Sequence, residues 1–98
     1  MDTEHYRLYR GVTLLAQASL GRISANVIAL GVGFDGDHPV VGLHLGHDDP
    51  ADRQALAAIV EELDEYYDDK TIPSVVTVGA ERLPAREWTY VYLRRDAD

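Results

Sequence analysis

Apolar residues between Pro50 and Tyr67 recur at helical spacing. With each residue advancing about 100° around the axis, Leu56, Ile59, Val60, Tyr66 and Tyr67 fall within about 60° of Leu63. Glu61, Asp64, Glu65, Asp68 and Asp69 fall on the opposite side, with Glu62 on the flank. The stretch from Asp48 to Lys70 therefore predicts an amphipathic helix with one apolar and one acidic side. Asp49 suits its cap, Pro50 its first position, and Asp52 sits where a carboxylate can bond back to orphan amides. No Gly or Pro interrupts residues 51–63. Thr71, Ile72 and then Pro73 end it. Burial of its four aliphatic residues contributes roughly 1.5–3 kcal/mol each before entropy is counted.

A second helical pattern spans residues 3–20, with Asp2 or Thr3 as cap. Leu8, Val12, Leu15, Ala16 and Ser19 line one face, with Tyr9 and Leu20 beside them. Gly21 is a natural stop, followed by Arg22. Gly11 inside the pattern costs about 1 kcal/mol relative to Ala and leaves residues 12–15 open to a strand start.

The remaining segments alternate with period two. Residues 23–34 predict a strand with Ile28, Leu30, Val32 and Phe34 on one face, and Ala25, Val27, Ala29, Gly31 and Gly33 on the other. Asp35-Gly36-Asp37 predicts a turn, and Pro39 suits the start of the next strand. There Val41, Leu43 and Leu45 alternate with Val40, Gly42, His44 and Gly46, giving a hairpin with a bulky face and a small-residue face. After Pro73 come a strand SVVTVG, a polar loop over 80–87, and a last strand over 88–94. The last strand is expected to turn Trp88, Tyr90 and Tyr92 one way and Thr89, Val91 and Leu93 the other; the charged tail beyond it is expected to fray. The element order is α-β-β-α-β-β. An α+β two-layer sandwich, a four-stranded and mostly antiparallel sheet with both helices on one face, is the simplest arrangement, with a mixed strand order left open.

Ninety-eight residues make one domain with a thin margin of core. The absence of cysteine excludes disulfides and thiolate metal sites. No apolar run has the length of a membrane span and Met1-Asp2-Thr3-Glu4 is not a signal peptide, so a cytoplasmic protein is expected. The charge is unevenly placed. Residues 48–69 hold nine acids (Asp48, Asp49, Asp52, Glu61, Glu62, Asp64, Glu65, Asp68 and Asp69) against Arg53, a net of −8. The whole chain is also −8, so its other residues sum to zero. Such a field repels nucleic acid and anionic membrane and steers cationic partners in; it also serves solubility.

Candidate chemistry is sparse. His38, His44, His47, Asp48 and Asp49 form one metal-like cluster, but His44 and His47 lie at a strand end without a defined third ligand, so no metal is assigned. The Glu61/Glu65 and Glu65/Asp69 pairs are exposed on a helix, which keeps their acid–base chemistry ordinary. Ser19, Ser24 and Ser74 lie in no nucleophile elbow, and GVGFDG opens no helix that could hold phosphate. The reading is a non-enzyme without cofactor. Trp88, Tyr90 and Tyr92 either pack in the core or form an interface stripe, and Tyr66 and Tyr67 border the acids.

In size, acidity and lack of a catalytic motif the chain resembles the immunity proteins of bacterial toxin systems, including contact-dependent inhibition and other polymorphic toxins. The resemblance includes no signature sequence. It implies an antitoxin that binds and blocks a cognate, cationic toxin domain such as a nuclease. Glu61, Asp64, Glu65, Asp68 and Asp69 would then pair with the toxin's bases, and Tyr66, Tyr67 and Trp88 would anchor it. The expected partner is a basic protein, with no nucleic acid or membrane, and the chain itself a monomer or homodimer. The alternative is a small self-associating or ligand-binding α+β module.

Overall fold

The computed structural model describes residues 3–36, 38–66, 72–83 and 88–94, with residues 3–8 described by their backbone alone. Six elements follow in the expected order: α1 (Thr3–Ala18), β1 (Val27–Asp35), β2 (His38–Leu45), α2 (Pro50–Asp64), β3 (Ser74–Val78) and β4 (Thr89–Leu93). The four strands form one sheet in the order β3-β2-β1-β4. β1 pairs antiparallel with β2 and with β4, while β2 and β3 run parallel. A parallel pair needs a long crossover, and α2 supplies it.

Both helices close a single core. Leu15 and Ala18 of α1 and Leu56, Ile59 and Leu63 of α2 pack with Leu30, Val32, Val41, Leu43 and Leu45 of the sheet. The buried line along α1 is Gly11, Leu15 and Ala18, four and three residues apart, with Ser19 buried at its end. This rotates the expected face: Ala16 is exposed, and Tyr9 and Leu20 are 73% and 77% exposed. Gly11 does not break the helix, because its lack of a side chain suits a buried position. α1 ends at Ala18, two residues short of the expected bound; Gly21 turns the chain at φ 74° beyond it, and Arg22 Nη1 donates to the Ala18 carbonyl at 2.8 Å.

α2 starts where the caps place it. Asp49 has extended backbone and its side chain accepts from Ala51 N at 2.9 Å, with Pro50 in the first turn. The helix ends at Asp64, earlier than the apolar periodicity implies, so Tyr66 is 47% exposed instead of joining Leu63 in the core. Tyr67 lies outside the described residues.

Two bulges change which way side chains point. Val27 pairs with Leu45 and Ala29 with His44, leaving Ile28 as the extra residue; Val27 thereby turns into the core, against the simple alternation. On β4, Leu30 pairs with Tyr92 and Gly31 with Tyr90, leaving Val91 extra. Val91 and Tyr92 consequently pack against the helix-side core, while Tyr90 lies on the opposite face. The expected single stripe of Trp88, Tyr90 and Tyr92 is therefore divided between the two faces.

The face away from the helices is lined by Ala29, Gly31 and Gly33 of β1 and by Val40, Gly42 and His44 of β2. It is not an open surface, for all of these but the half-buried His44 are buried. A Cβ on Gly42 would lie 2.9 Å from the Trp88 ring and 3.3 Å from Leu83. A Cβ on Gly31 would lie 3.0 Å from Tyr90 Cδ1 and 3.0 Å from the Thr89 carbonyl oxygen. The connection from β3 leads from one sheet edge to β4 at the other, and its Leu83 and Trp88 seat on the backbone that the glycines leave bare.

Candidate functional site

The acids concentrated between Asp48 and Asp69 do not all reach solvent with their charge uncommitted. At the start of α2, Asp48 accepts from Arg53 Nε at 2.6 Å. That hydrogen bond, ahead of every other influence, holds the Asp48 carboxyl below the usual range and raises Arg53 above its own. Asp49 is occupied as the cap. Asp52 is 5% exposed and accepts from Ser24 Oγ at 2.6 Å and Asn26 Nδ2 at 2.8 Å. Asp52 thus pins the first turn of α2 to the segment entering β1, instead of bonding back to the helix amides. Asn26 completes the clasp with His47, donating to its carbonyl at 2.7 Å and accepting from its N–H at 3.0 Å.

Further along α2, Glu62 faces Arg22 of the α1 terminus at 3.8 Å, and Asp64 is half-buried with its Oδ1 accepting from Ile72 N at 2.9 Å. Glu61 and Glu65, one helical turn apart, are exposed and have no ion-pair partner among the described residues. Tyr66 follows at once, its carbonyl accepting from Arg10 Nη2 at 2.7 Å. The structure therefore brings Glu61, Glu65 and Tyr66 together at the C-terminal end of α2, with Asp64 beside them and partly committed to holding the chain. Tyr67, Asp68 and Asp69 lie outside the described residues. Trp88 does not join this group. It sits on Gly42, on the face of the sheet opposite α2.

Between α2 and β3 runs an open groove of about 420 Å³, lined by Leu56, Ala57, Val60, Ile72, Ser74 and Val76. Glu61 and Asp64 border it toward the end of the helix, and Arg53 toward the start. Periodicity did not reveal this groove, because it depends on β3 lying at the sheet edge beside the crossover helix.

The histidine cluster does not converge. Among the described residues no three His, Asp or Glu side chains are placed to hold a metal ion. His44 Nδ1 instead shares a hydrogen bond with Thr77 Oγ1 at 2.7 Å across β2 and β3. Among the described residues no helix is long and apolar enough to cross a membrane. No family model matches the chain, and no curated protein matches it.

Proposed function

We propose that this chain is an immunity protein that binds a cognate toxin domain and blocks it through the outer side of α2. The observation that carries this reading is the pairing of segregated charge with local exposure. The chain outside residues 48–69 sums to zero, while Glu61 and Glu65 stand in solvent without an opposing base among the described residues. Carboxylates so placed suit the Lys and Arg with which a nuclease-like toxin would otherwise hold phosphate. Tyr66 supplies an amphipathic anchor beside them, and the neighbouring Tyr67, Asp68 and Asp69 extend the same chemistry in sequence. Trp88 does not belong to this surface, being seated across the sheet.

The partner is a basic protein, harmful when produced alone and harmless when produced with this chain. Its purification from the native host in equal amount with this chain, followed by that toxicity assay, identifies it. Replacing Glu61 and Glu65 by Gln and Asp68 and Asp69 by Asn then tests the surface. Association should slow by about tenfold or more at low salt and lose most of its salt dependence, since charges of this kind act mainly on the association rate. An unchanged rate and salt slope would remove α2 as the docking face.

A further inference from the structure

β3 is an edge strand, and its amides divide into two rows. The Pro73 carbonyl accepts from Val41 N at 3.0 Å and Gly79 N donates to the Leu45 carbonyl at 2.8 Å, so the odd-numbered residues bond to β2. The even-numbered residues turn their amides outward. Two of these are taken by carboxylates: Ile72 N donates to Asp64 Oδ1 at 2.9 Å, and Val78 N to Glu81 Oε1 at 2.8 Å. Between them, the outward amides of Ser74 and Val76 have no partner among the described residues. Side-chain carboxylates thus close the edge at both ends and leave a short window between them. Natural edges left open in this way are templates for a further strand.

The window opens beside the α2–β3 groove. Ala57, Val60, Ile72 and Val76 give the groove an apolar lining. Of the charged residues that border it, Arg53 is already bonded to Asp48, whereas Glu61 is exposed and has no base beside it among the described residues. Among the described residues the uncompensated charge is negative, and it lies at the Ile72 end.

We infer that this window takes a short extended segment of a partner protein as a fifth strand. Its main chain bonds to Ser74 and Val76, its apolar side chains enter the groove, and a Lys or Arg meets Glu61. The inference rests on the reading of the chain as a binder of cationic protein, and specifies how one segment of that protein is held. A second copy of this chain fits the window worse. Pairing β3 with itself about a two-fold axis would lay two α2 helices antiparallel, and the Arg53 that would then face Glu61 of the other copy is already bonded to Asp48.

The probe is a capped octapeptide of alternating lysine and valine, added to the full chain and followed by amide NMR. Amide exchange at Ser74 and Val76 should slow by at least about tenfold, with shifts at Val60 and Glu61. Replacing the lysines by glutamates should abolish binding. S74P removes one outward N–H while keeping every bond to β2, and E61K reverses the groove charge without touching the ladder; each should weaken binding by about tenfold or more. The inference is overturned by the absence of binding at millimolar peptide, by shifts on the acids without slowed exchange at Ser74 and Val76, or by undiminished binding to both variants. Slow exchange at those two amides that appears without peptide as protein concentration rises would assign the window to a second copy instead. Toxin association that depends on the α2 acids, together with a silent window, would overturn this inference alone; an active window without that dependence would overturn only the α2 docking reading.

Discussion

The two faces of the sheet are covered in opposite ways. On the helix side, Leu30, Val32, Val41, Leu43 and Leu45 stand up from the backbone and interlock with Leu15, Leu56, Ile59 and Leu63. On the other side Gly31, Gly33 and Gly42 leave the sheet bare, and the bulk over Gly31 and Gly42 comes from Tyr90 of the neighbouring strand and from Leu83 and Trp88 of the β3–β4 connection. One face buries its own large side chains, whereas the other buries glycine backbone under rings and a leucine from β4 and the connection leading to it. The difference shows that a strand rich in glycine need not be a thin outer surface. Its bare backbone can be the seat for an aromatic ring that arrives from a distant part of the chain.

The comparison breaks most sharply with one substitution on each face. Leu45→Ala empties a fully buried site on the helix side and should destabilise by about 2–5 kcal/mol. Gly42→Val adds bulk where a Cβ would already lie 2.9 Å from the Trp88 ring, and should cost about 1–3 kcal/mol through overpacking. Urea unfolding of the three proteins measures both. Adding Trp88→Leu should recover part of the Gly42→Val loss, because the two sites touch and their effects do not add. A neutral Gly42→Val would mean that Trp88 is not seated there in solution.

The helix-covered face was the more legible of the two in the sequence. Asp49 and Pro50 mark the start of α2 through local chemistry, and Leu56, Ile59 and Leu63 repeat at its period. Glu61 and Glu65 were readable as exposed for the same reason. The bulges at Ile28 and Val91 were not, since a period of two runs through an inserted residue without a local mark. They turned Val27 into the core and separated Tyr92 from Tyr90. Asp52 looked like a capping residue because its partners Ser24 and Asn26 lie 28 and 26 residues away, where no helix pattern points. Aromatic character alone would put Trp88 with the acids, but its ring seats on Gly42, on the side of the sheet away from α2, and the bare glycine that receives it lies 46 residues away in β2, where no local pattern points.

Polar pins sharpen the contrast at a smaller scale. Asp52 fastens the helix layer to the segment entering β1, and the His44–Thr77 bond joins β2 to β3 near the glycine side. Asp52→Ala leaves Ser24 Oγ and Asn26 Nδ2 without their buried acceptor and should destabilise by about 1–3 kcal/mol. Thr77→Val removes one hydroxyl partner of a half-buried histidine and should cost about 0.5–1.5 kcal/mol. Equal losses in urea unfolding would show that the glycine side depends on its polar bond as heavily as the helix layer does on its clasp.

The smallest effect belongs to Asp48 and Arg53, whose 2.6 Å bond lies in solvent beside the buried Asp52. Arg53 lowers the Asp48 pKa chiefly by donating that hydrogen bond, so Arg53→Ala should move the Asp48 titration up toward the ordinary carboxylate range. The sign follows from linkage: with the folded pKa below the unfolded one, any stabilisation by the pair is complete above the unfolded value and lost as pH falls through the folded value. Because water and salt screen an exposed pair, the unfolding midpoint at neutral pH should scarcely change. Carbon-detected NMR of the Asp48 carboxyl, recorded for both proteins across the acidic range, reads the shift directly. An unmoved titration would mean that the arginine does not hold Asp48 in solution, leaving the start of α2 fixed by Asp49 and by the buried clasp of Asp52.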